Sequence, residues 1–355
     1  MDGWTPFLAP MGYLALALWA AFGLVFLWAS GFPWLRAGER PGVLVGTEDA
    51  DLPSPASRDI VVLTWNLAFA YGRGSEGARF FPRGRVDFER NLDRIAEVIR
   101  GSEADVVLLQ EVDFGSKRSH RMDQMVELMY RTGYAHGAPA LSWAARWVPF
   151  PYWPPSRQFG PVRSGGAILS RHPLSTPRVT LFAGLIEQPL WYRPFYPHRY
   201  HQRVDVNLGG RVLRAWNLHL EAFKKSARVR QARELAAELT SRQWPAPWVV
   251  GGDFNTTPPE AKKKSGFEDE PADDYEDDRT LESLRGIQGL RESVPVGDYV
   301  RDESRYFTFP STGPNRRLDY LFASDGLKIK EARVLTDAGP CSDHLPLRVR
   351  LGWQS

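Results

Sequence analysis

Six blocks of the sequence place polar, chemically capable side chains at the ends of apolar runs or inside them. Singly, such residues are usually turn, capping or hydrogen-bonded core residues. Burying them unpaired is unfavourable, so a whole set is tolerated only if its members converge and satisfy one another or bind a metal ion. The candidates are Asn66, Glu111, His219, Asp253, Asn255, Asp319, Asp343 and His344. We therefore expect one polar site built from several strand ends.

The donor groups of this set are carboxylates, carboxamides and imidazoles, with no thiol. Such a set favours a hard divalent cation, either Mg²⁺ or, as an alternative, Mn²⁺. Mg²⁺ is usually held by one or two carboxylates and by substrate phosphate. The chain has no H-E-x-x-H motif, no G-x-S-x-G nucleophile elbow and no P-loop, and its single cysteine, Cys341, excludes a disulfide framework. The remaining chemistry is metal-assisted attack of water on a phosphate ester.

These residues need a scaffold, and the sequence after residue 58 supplies one by alternating short apolar strands with amphipathic helices. This mixture predicts one α/β domain with two sheets covered by helices. Strands are expected at 60–65, 105–109, 166–169, 203–208, 211–218, 248–251, 318–322, 328–334 and 347–351. Segments 139–162 and 189–201, rich in proline and aromatic residues, interrupt the pattern. Segment 260–278, a basic run followed by an acidic one, is interpreted as a solvated, mobile surface loop.

The N-terminal segment has a different composition. No charged residue occurs over 3–35, and the densest apolar run, 13–29, is long enough for a helix to cross a bilayer. Trp4, Trp28 and Trp34 lie towards its ends, as in an interfacial aromatic belt. No lysine or arginine precedes the run and no clear A-x-A site follows it. We therefore expect a retained membrane anchor, with a cleaved signal peptide or a buried soluble helix as alternatives.

The predicted organisation is an anchor at 1–36, a linker at 37–57 and a catalytic domain at 58–355. Arg36 and Arg40 follow the apolar run, which favours a cytoplasmic catalytic domain, although nearby acidic residues leave the other side of the membrane open. The hydrophobic content of 43% excludes disorder for most of the chain. The net charge of +3 over 355 residues argues neither for nor against nucleic acid as a partner.

The motifs, taken together, resemble the endonuclease/exonuclease/phosphatase superfamily, which includes DNase I and the neutral sphingomyelinases. The resemblance covers roughly residues 58–352, with the blocks in family order. The blocks are WN at 65–66, LLQEV at 108–112, GGAILSRHPL at 165–174, NLHL at 217–220, GGDFN at 251–255, RLDYLF at 317–322 and SDHLPL at 342–347. The resemblance implies a four-layer α/β/β/α sandwich of the DNase I-like type, with the site at one rim of the two sheets. It also implies divalent-metal-dependent phosphoester hydrolysis.

The resemblance further implies a division of roles between metal binding and proton transfer. Glu111 corresponds to the principal Mg²⁺ ligand, with Asn66 beside it. Asp343 corresponds to a second carboxylate on the metal side or to a structural partner. His344 corresponds to the base that takes a proton from the attacking water, and Asp319 to the group that orients His344 and stabilises its imidazolium form.

The remaining candidates are assigned to the nucleophile and the substrate. By the same resemblance, Asp253 and Asn255 orient the nucleophile and bind the phosphate. His219 matches a histidine that helps stabilise the developing charge. Arg163, close to a motif loop, is the candidate for gripping a substrate phosphate.

The family does not fix the substrate, because function is grafted on the fold. The anchor, the position of His219 in NLHL and the aromatic-rich segments favour a membrane-associated phosphodiesterase acting on a lipid head group, similar to neutral sphingomyelinases. The main alternative is a membrane-anchored nuclease that grips phosphates through arginines. These arginines are Arg163, Arg193, Arg199, Arg203, Arg316 and Arg317. Phosphomonoester hydrolysis and non-enzymatic binding are further alternatives, and no obligate protein partner is evident.

Overall fold

The computed structural model describes residues 5–32, 34–46, 59–72, 83–184, 188–189, 191–241 and 244–354, with side chains from residue 12 onward. The helices are α1 (Thr5–Ser30), α2 (Arg85–Gly101), α3 (Gln124–Thr132), α4 (Lys225–Thr240), α5 (Thr280–Arg285) and α6 (Val296–Arg301). The strands are β1 (Gly38–Pro41), β2 (Val45–Gly46), β3 (Asp59–Asn66), β4 (Val106–Asp113), β5 (His136–Val148), β6 (Gly160–Ser170), β7 (Leu174–Leu181), β8 (Tyr200–Asn207), β9 (Val212–His219), β10 (Trp248–Asp253), β11 (Arg291–Glu292), β12 (Asp319–Ala323), β13 (Leu327–Val334) and β14 (Leu347–Trp353).

The strands form two mixed sheets of seven strands each. The first sheet has the order β1-β7-β8-β9-β10-β12-β11, and the second has the order β13-β14-β3-β4-β6-β5-β2. Near the middle of each sheet lies one parallel pair, β9 with β10 and β3 with β4. Because parallel strands end at the same edge of a sheet, these two pairs bring four strand ends to one rim.

The sheets pack face to face, and helices cover their outer faces. Leu108 of the second sheet and Val249 of the first are fully buried in one cluster, which also takes in Leu92 of α2. On the outer face of the first sheet, Leu235 of α4 packs in a separate cluster with Trp216. The result is the α/β/β/α order of layers, so the predicted fold class is confirmed.

Five strands lie outside the sequence prediction: β1, β2, β5, β7 and the two-residue β11. β1 pairs with β7 at the edge of the first sheet, and β2 pairs with β5 at the edge of the second. Within residues 38–46 of the predicted linker, β1 and β2 therefore belong to the fold and extend the two sheets, while residues 47–57 lie outside the described residues. The aromatic-rich segment 139–162 is likewise not all loop, since its first ten residues complete β5. Edge strands escape sequence patterns because their outer faces carry no continuous apolar alternation.

By length and composition, Gly12–Ser30 of α1 is a candidate membrane span, a property that a signal sequence near the N-terminus shares. Its side chains are largely exposed to solvent in the isolated chain, as a lipid-facing helix requires. The C-terminal end of α1 contacts the domain, where the ring of Phe26 lies 5.4 Å from that of Phe195. Helix α1 and the domain therefore meet directly.

The interpretation of segment 260–278 as a mobile loop is wrong. Phe267 is fully buried, and the buried guanidinium of Arg316 pairs with three carboxylates of the segment. These carboxylates are Asp269, Glu270 and Asp273. The end of the segment is held by a second buried pair, Arg228 with Asp278 at 2.6 Å. The composition shows the charges of this segment but not their counter-ions elsewhere in the chain.

Candidate active site

Three functional side chains lie in one row across neighbouring strands of the first sheet. Asp253, the last residue of β10, is in register with His219, the last residue of β9, and with Asp319, the first residue of β12. Across the cleft between the sheets, Asn66 ends β3 and donates from Nδ2 to Asp253 Oδ2 at 3.0 Å. The convergence of strand ends predicted from the sequence is thus realised by register within a sheet and by contact between sheets.

Glu111 reaches the site because β4 carries a bulge. The pairing of β4 with β6 shifts register between Leu109 and Val112, and Glu111 has a φ of 52°. A bulge inserts an extra residue and re-aims the side chains around it, and a non-glycine residue at positive φ is strained. Here Gln110 turns into the space between the sheets, where its Nε2 donates to Asn217 Oδ1 at 2.6 Å. The adjacent Glu111 is thereby directed to the cavity.

The GGDFN turn is fixed by close packing. Gly252 has a φ of 149°, and a Cβ at this position would lie 2.0 Å from the carbonyl oxygen of Leu218. After the turn, the Asn255 backbone N–H donates to Asp253 Oδ1 at 2.8 Å, and its side-chain Nδ2 donates to the Leu220 carbonyl at 2.9 Å. One oxygen of Asp253 is therefore committed to this turn, while Oδ2 faces the site.

His344 and Asp319 form a buried pair. Nδ1 of His344 lies 2.8 Å from Asp319 Oδ2, and its Nε2 lies 3.7 Å from Asp253 Oδ2. Burial alone would lower the pKa of His344, but Asp319 and Asp253 raise it to about 10. The ring of Phe309 packs 4.8 Å from the imidazole. Asp319 thus fixes the ring so that Nε2 points into the site, which is the arrangement of an oriented acid–base histidine.

The carboxylates of the site lie where a cation would neutralise them. Burial and, next, the charge of Asp343 raise the pKa of Glu111. Burial raises the pKa of Asp253 to about 7 against the opposing effect of His344. Among the described residues that line this cavity of about 270 Å³, five are acidic and two are arginines. Glu270 and Asp273 pair with Arg316, which leaves Glu111, Asp253 and Asp343 as the acidic groups that a bound divalent cation would neutralise.

Two positions in the site could take such a cation. Glu111, with Asp343 on the same side, matches the predicted metal position, while Asp253, Asp319 and His344 form a compact cluster of potential ligands. In that cluster Asp319 Oδ2 already accepts the hydrogen bond of His344, whereas Glu111 makes no such pairing with the imidazole. Neutralising the acidic groups would also bring the pKa of His344 down towards the range of a base.

Asn66 connects the two carboxylate groups. Its Nδ2 faces Glu111 Oε1 at 3.4 Å as well as Asp253, and its Oδ1 accepts from the Ala68 backbone N–H at 3.0 Å. In this orientation the amide holds both acids by hydrogen bonds. A role as metal ligand requires Oδ1 and stays a prediction.

His219 has a partner that the sequence prediction did not include. Arg199 places Nη1 2.8 Å from His219 Nε2, and burial followed by the charge of Arg199 holds the pKa of His219 well below its usual value. Glu221, fully buried, anchors Arg199 at 3.3 Å and accepts from the Tyr196 hydroxyl at 2.8 Å. The lasting positive charge beside this histidine is therefore the guanidinium, with the imidazole neutral.

Seven of the predicted site residues line the cavity, and Asp319 lies behind them on His344, whereas Arg163 is not brought to the site. Its side chain is exposed and lies beside Arg40 and Asp123, whereas the next residue, Ser164, lines the catalytic cavity. Successive side chains of β6 point to opposite faces, so the choice of Arg163 misses the site by one position. The acidic segment 260–278 was not predicted to take part, yet three of its residues line the cavity. These are Glu270, Asp273 and Tyr275.

The chain is similar in sequence to one protein family and in fold to several solved structures. The model of the Endonuclease/Exonuclease/phosphatase family matches residues 63–344. Similar solved structures include an endonuclease/exonuclease/phosphatase from Beutenbergia cavernae, at 24% identity and a TM-score of 0.58, covering 84% of this chain and 72% of that one. The human Nocturnin catalytic domain with bound sulfate is 21% identical, with a TM-score of 0.52 and coverage of 89% and 100%. Truncated Caenorhabditis elegans TDP2 is 16% identical, with a TM-score of 0.50 and coverage of 83% and 97%.

No curated protein sequence matches the chain. The structural likenesses, all below 25% identity, show the fold. The family match extends over most of the chain and includes every strand end that carries a site residue. Hydrolysis of phosphoester bonds is the chemistry of this group of proteins, and the acidic, imidazole-bearing cavity suits it. The chain belongs to the endonuclease/exonuclease/phosphatase family.

Proposed function

We propose that this protein is a divalent-metal-dependent phosphodiesterase that acts on the head group of a membrane lipid. The observation that carries the proposal is the meeting of α1 with the rim of the catalytic cavity. Phe26 of α1 contacts Phe195, and the residues that follow, Pro197 and Arg199 among them, line that cavity. A helix that spans a bilayer and packs at this rim would hold the cavity at the membrane surface.

Exposed aromatic side chains around the same rim support this orientation. Tyr152 is 65% exposed, Trp153 80% and Trp191 63%. Phe223, 73% exposed, borders the catalytic cavity itself. Aromatic side chains are enriched at the membrane–water interface, where they anchor the protein surface at the level of the head groups.

In the proposed mechanism, a cation held by Glu111 and Asp343 would polarise the phosphate and make a bound water more acidic. Asp253, fixed by its turn and by Asn66, orients the attacking water. Nε2 of His344, directed towards Asp253, takes the proton from that water. In this mechanism the attacking water lies between the two sheets, beside Asp253 and His344, and the phosphate lies beside Glu111 and Asp343.

Two further groups, Asp319 and Arg199, stabilise charges that form during the reaction. Asp319 stabilises the imidazolium of His344 through Nδ1 once the proton has moved. Arg199, buried and held by Glu221, offers a fixed positive charge to the phosphate oxygens beside the neutral ring of His219. Preorganised charges of this kind commonly contribute about 3–4 kcal/mol to transition-state stabilisation.

The arginines invoked for a nuclease are largely committed to other partners. Arg203 pairs with Glu39, Arg316 with the acidic segment 260–278, and Arg317 with Glu292 at 2.7 Å. Acidic side chains also outnumber arginines around the cavity. Binding of nucleic acid depends on cations that neutralise several phosphates along the backbone, so these observations favour the lipid over a polynucleotide.

The test is a substrate panel on the purified full chain in detergent or vesicles, with EDTA and with added Mg²⁺ or Mn²⁺. The panel contains plasmid DNA, RNA, sphingomyelin, phosphatidylinositol phosphates and bis-nitrophenyl phosphate. We expect metal-dependent cleavage of a lipid and of the generic diester, abolished by EDTA and restored by either metal. Nicking of DNA without turnover of any lipid would overturn the proposal in favour of a nuclease.

A further inference from the structure

A second cavity, about 900 Å³ in volume, adjoins the catalytic one and has a different character. One wall is the C-terminal half of α1, and the others are the aromatic residues at the end of β5, those preceding β6 and those of segment 191–197. The residues contributed by α1 are Phe22, Val25, Phe26 and Ala29. Its volume is in the range of cavities that hold small organic ligands.

The two cavities are direct neighbours, and six residues line both. These residues are Glu111, Arg118, Trp143, Pro197, Arg199 and Phe223. Of the described residues that line the second cavity, the charged ones are Glu111, Arg118 and Arg199, all at this junction. A single ligand can therefore have a charged group at the catalytic end and an apolar remainder in the second cavity.

The two arginines at the junction are already paired, and no charged side chain among the described residues lines the rest of the second cavity. Arg118 pairs with buried Asp113 at 2.8 Å, and its guanidinium lies 3.9 Å from the ring centre of Phe69. Arg199 is held by Glu221. Beyond the junction the wall is aromatic and aliphatic, so an occupant gains free energy there mainly by burying hydrocarbon.

We propose that this second cavity, which we call the chain cavity, binds one acyl chain of the lipid whose phosphoester lies in the catalytic cavity. The inference rests on the proposed function and adds to it a selectivity for a long apolar chain. Two features of the wall support this occupant. Phe22 and Val25, 62% and 60% exposed, belong to the helix that would cross the bilayer, so the chain cavity would open to the acyl region. Its other end meets the metal ligand Glu111.

The test uses n-alkyl phosphates from methyl to octyl, below their micelle-forming concentrations, as inhibitors of bis-nitrophenyl phosphate hydrolysis. The protein is the full chain in nanodiscs with its activating metal. Each methylene group buried should lower the inhibition constant about fourfold until the cavity is filled. A chain-length series of this kind probes the chain cavity without requiring that the lipid substrate be known.

Partition of the inhibitors into the nanodisc also depends on chain length, so a pair of variants separates the two effects. Ala29→Trp fills the chain cavity, and Ala21→Trp adds the same side chain at an exposed position of α1 that does not line it. With each series normalised to methyl phosphate in the same variant, we expect the dependence to flatten in A29W. The wild-type dependence should persist in A21W.

The outcomes separate this inference from the function on which it rests. A steep dependence in the wild type that A29W flattens supports the chain cavity, even if the substrate panel shows no lipid turnover and the proposed function fails. The same dependence in the wild type and in A29W overturns the chain cavity, even if a lipid is hydrolysed. A wild-type series without dependence on chain length overturns it as well.

Discussion

At the scale of residues, the chemistry of the site depends on the small number of positive charges beside its carboxylates, and Asp319 is the clearest case. Asp319 is fully buried and spends one oxygen on His344, and its Oδ1 has no hydrogen-bond partner among the described residues. A buried carboxylate in this state is unfavourable unless the imidazole beside it carries a proton or gains one during the reaction. The pair is therefore organised around the charged form of His344, which is the form that exists after proton abstraction.

This arrangement predicts the effect of Asp319→Asn. The carboxamide cannot balance an imidazolium and can present a donor to Nδ1, which disfavours the productive tautomer. We expect kcat to fall about 10²–10⁴-fold, the usual contribution of a positioned acid–base group, while the thermal transition shows a folded protein. The rate is measured with bis-nitrophenyl phosphate, so that the result does not depend on the natural substrate.

The matched control is Asp325→Asn, the same chemical change at a carboxylate that is 73% exposed and pairs with Arg291 on the surface. It should retain wild-type kcat.

His344→Ala should reduce kcat as strongly as Asp319→Asn, and the double variant should lose little more, because the two residues act as a unit. A folded and fully active Asp319→Asn or His344→Ala protein would contradict the assignment.

The sequence is sufficient to predict most of the site because its residues follow apolar strands, and strand ends of parallel pairs meet. It fails where contacts depend on distant side chains. Glu221 comes two residues after His219, again at the end of an apolar run, so the same signal could have identified it. Its partnership with Arg199 and Tyr196 is a tertiary contact that no local pattern contains. Arg163 was chosen by proximity in sequence, which ignores the alternation of a strand.

At the scale of elements, the GGDFN turn predicts a large effect from a small change. Gly252→Ala places a methyl group against the Leu218 carbonyl at a φ that L residues rarely adopt. We expect a loss of stability of more than about 3 kcal/mol, together with loss of activity, because Asp253 follows directly. Gly101→Ala, at the end of α2 with no atom near the added Cβ, should be neutral or stabilising by about 0.5–1 kcal/mol. Denaturant unfolding measures both, and equal stabilities would contradict this account of the turn.

The burial of His201 between β8 and α4 predicts acid sensitivity. His201 on β8 is 2% exposed, and its Nε2 lies 3.2 Å from Glu238 of α4. Burial, and next the charge of Arg203, lower the pKa of His201 to about 3. The unfolded chain, with a pKa near 6.5, takes up the proton first, so stability is retained above pH 6.5 and is lost as the pH falls below it. At pH 5 the loss from this group is at most about 2 kcal/mol, because the Glu238 carboxylate beside the ring favours its protonated form.

Unfolding at pH 7 and pH 5 tests this dependence. His201→Gln should show a smaller loss between the two pH values than the wild type, because glutamine has no proton to gain. His120→Gln, at an exposed position, serves as the matched control and should retain the wild-type loss. An unchanged pH dependence in His201→Gln would show that this histidine is not what makes the fold sensitive to acid.

The elements themselves were predictable to different degrees. Strands buried on both faces, such as β3 and β10, read as continuous apolar runs and were found. β5 was missed because its thirteen residues mix small, polar and aromatic side chains, with burial that alternates only in part. β1 and β2 are held by backbone hydrogen bonds to sheet edges, which place few demands on side chains.

At the scale of the whole molecule, the two edge strands change the reach of the catalytic domain. A flexible linker over 37–57 would allow the domain to move about 70 Å from α1 when fully extended. In the structure, residues 31–37 alone separate α1 from β1, and they span about 25 Å at most. The average hydrophobic content of the chain therefore combines two parts of different composition, an apolar helix and a more polar domain, and the short connection holds them close together.

If α1 spans a bilayer as proposed, this short tether predicts that hydrolysis is confined to the bilayer that holds α1. Full-length protein reconstituted into vesicles that contain the lipid substrate should hydrolyse it, at a rate set by the mole fraction of substrate in the membrane. Protein in substrate-free vesicles, mixed with separate substrate vesicles, should give at least a tenfold lower rate, because the rim cannot reach a second bilayer. Soluble bis-nitrophenyl phosphate should be hydrolysed equally in both arrangements, which controls for the amount of active protein. Equal lipid turnover in the two arrangements would mean that substrate is taken from solution or from another surface, and that α1 does not restrict access to the site.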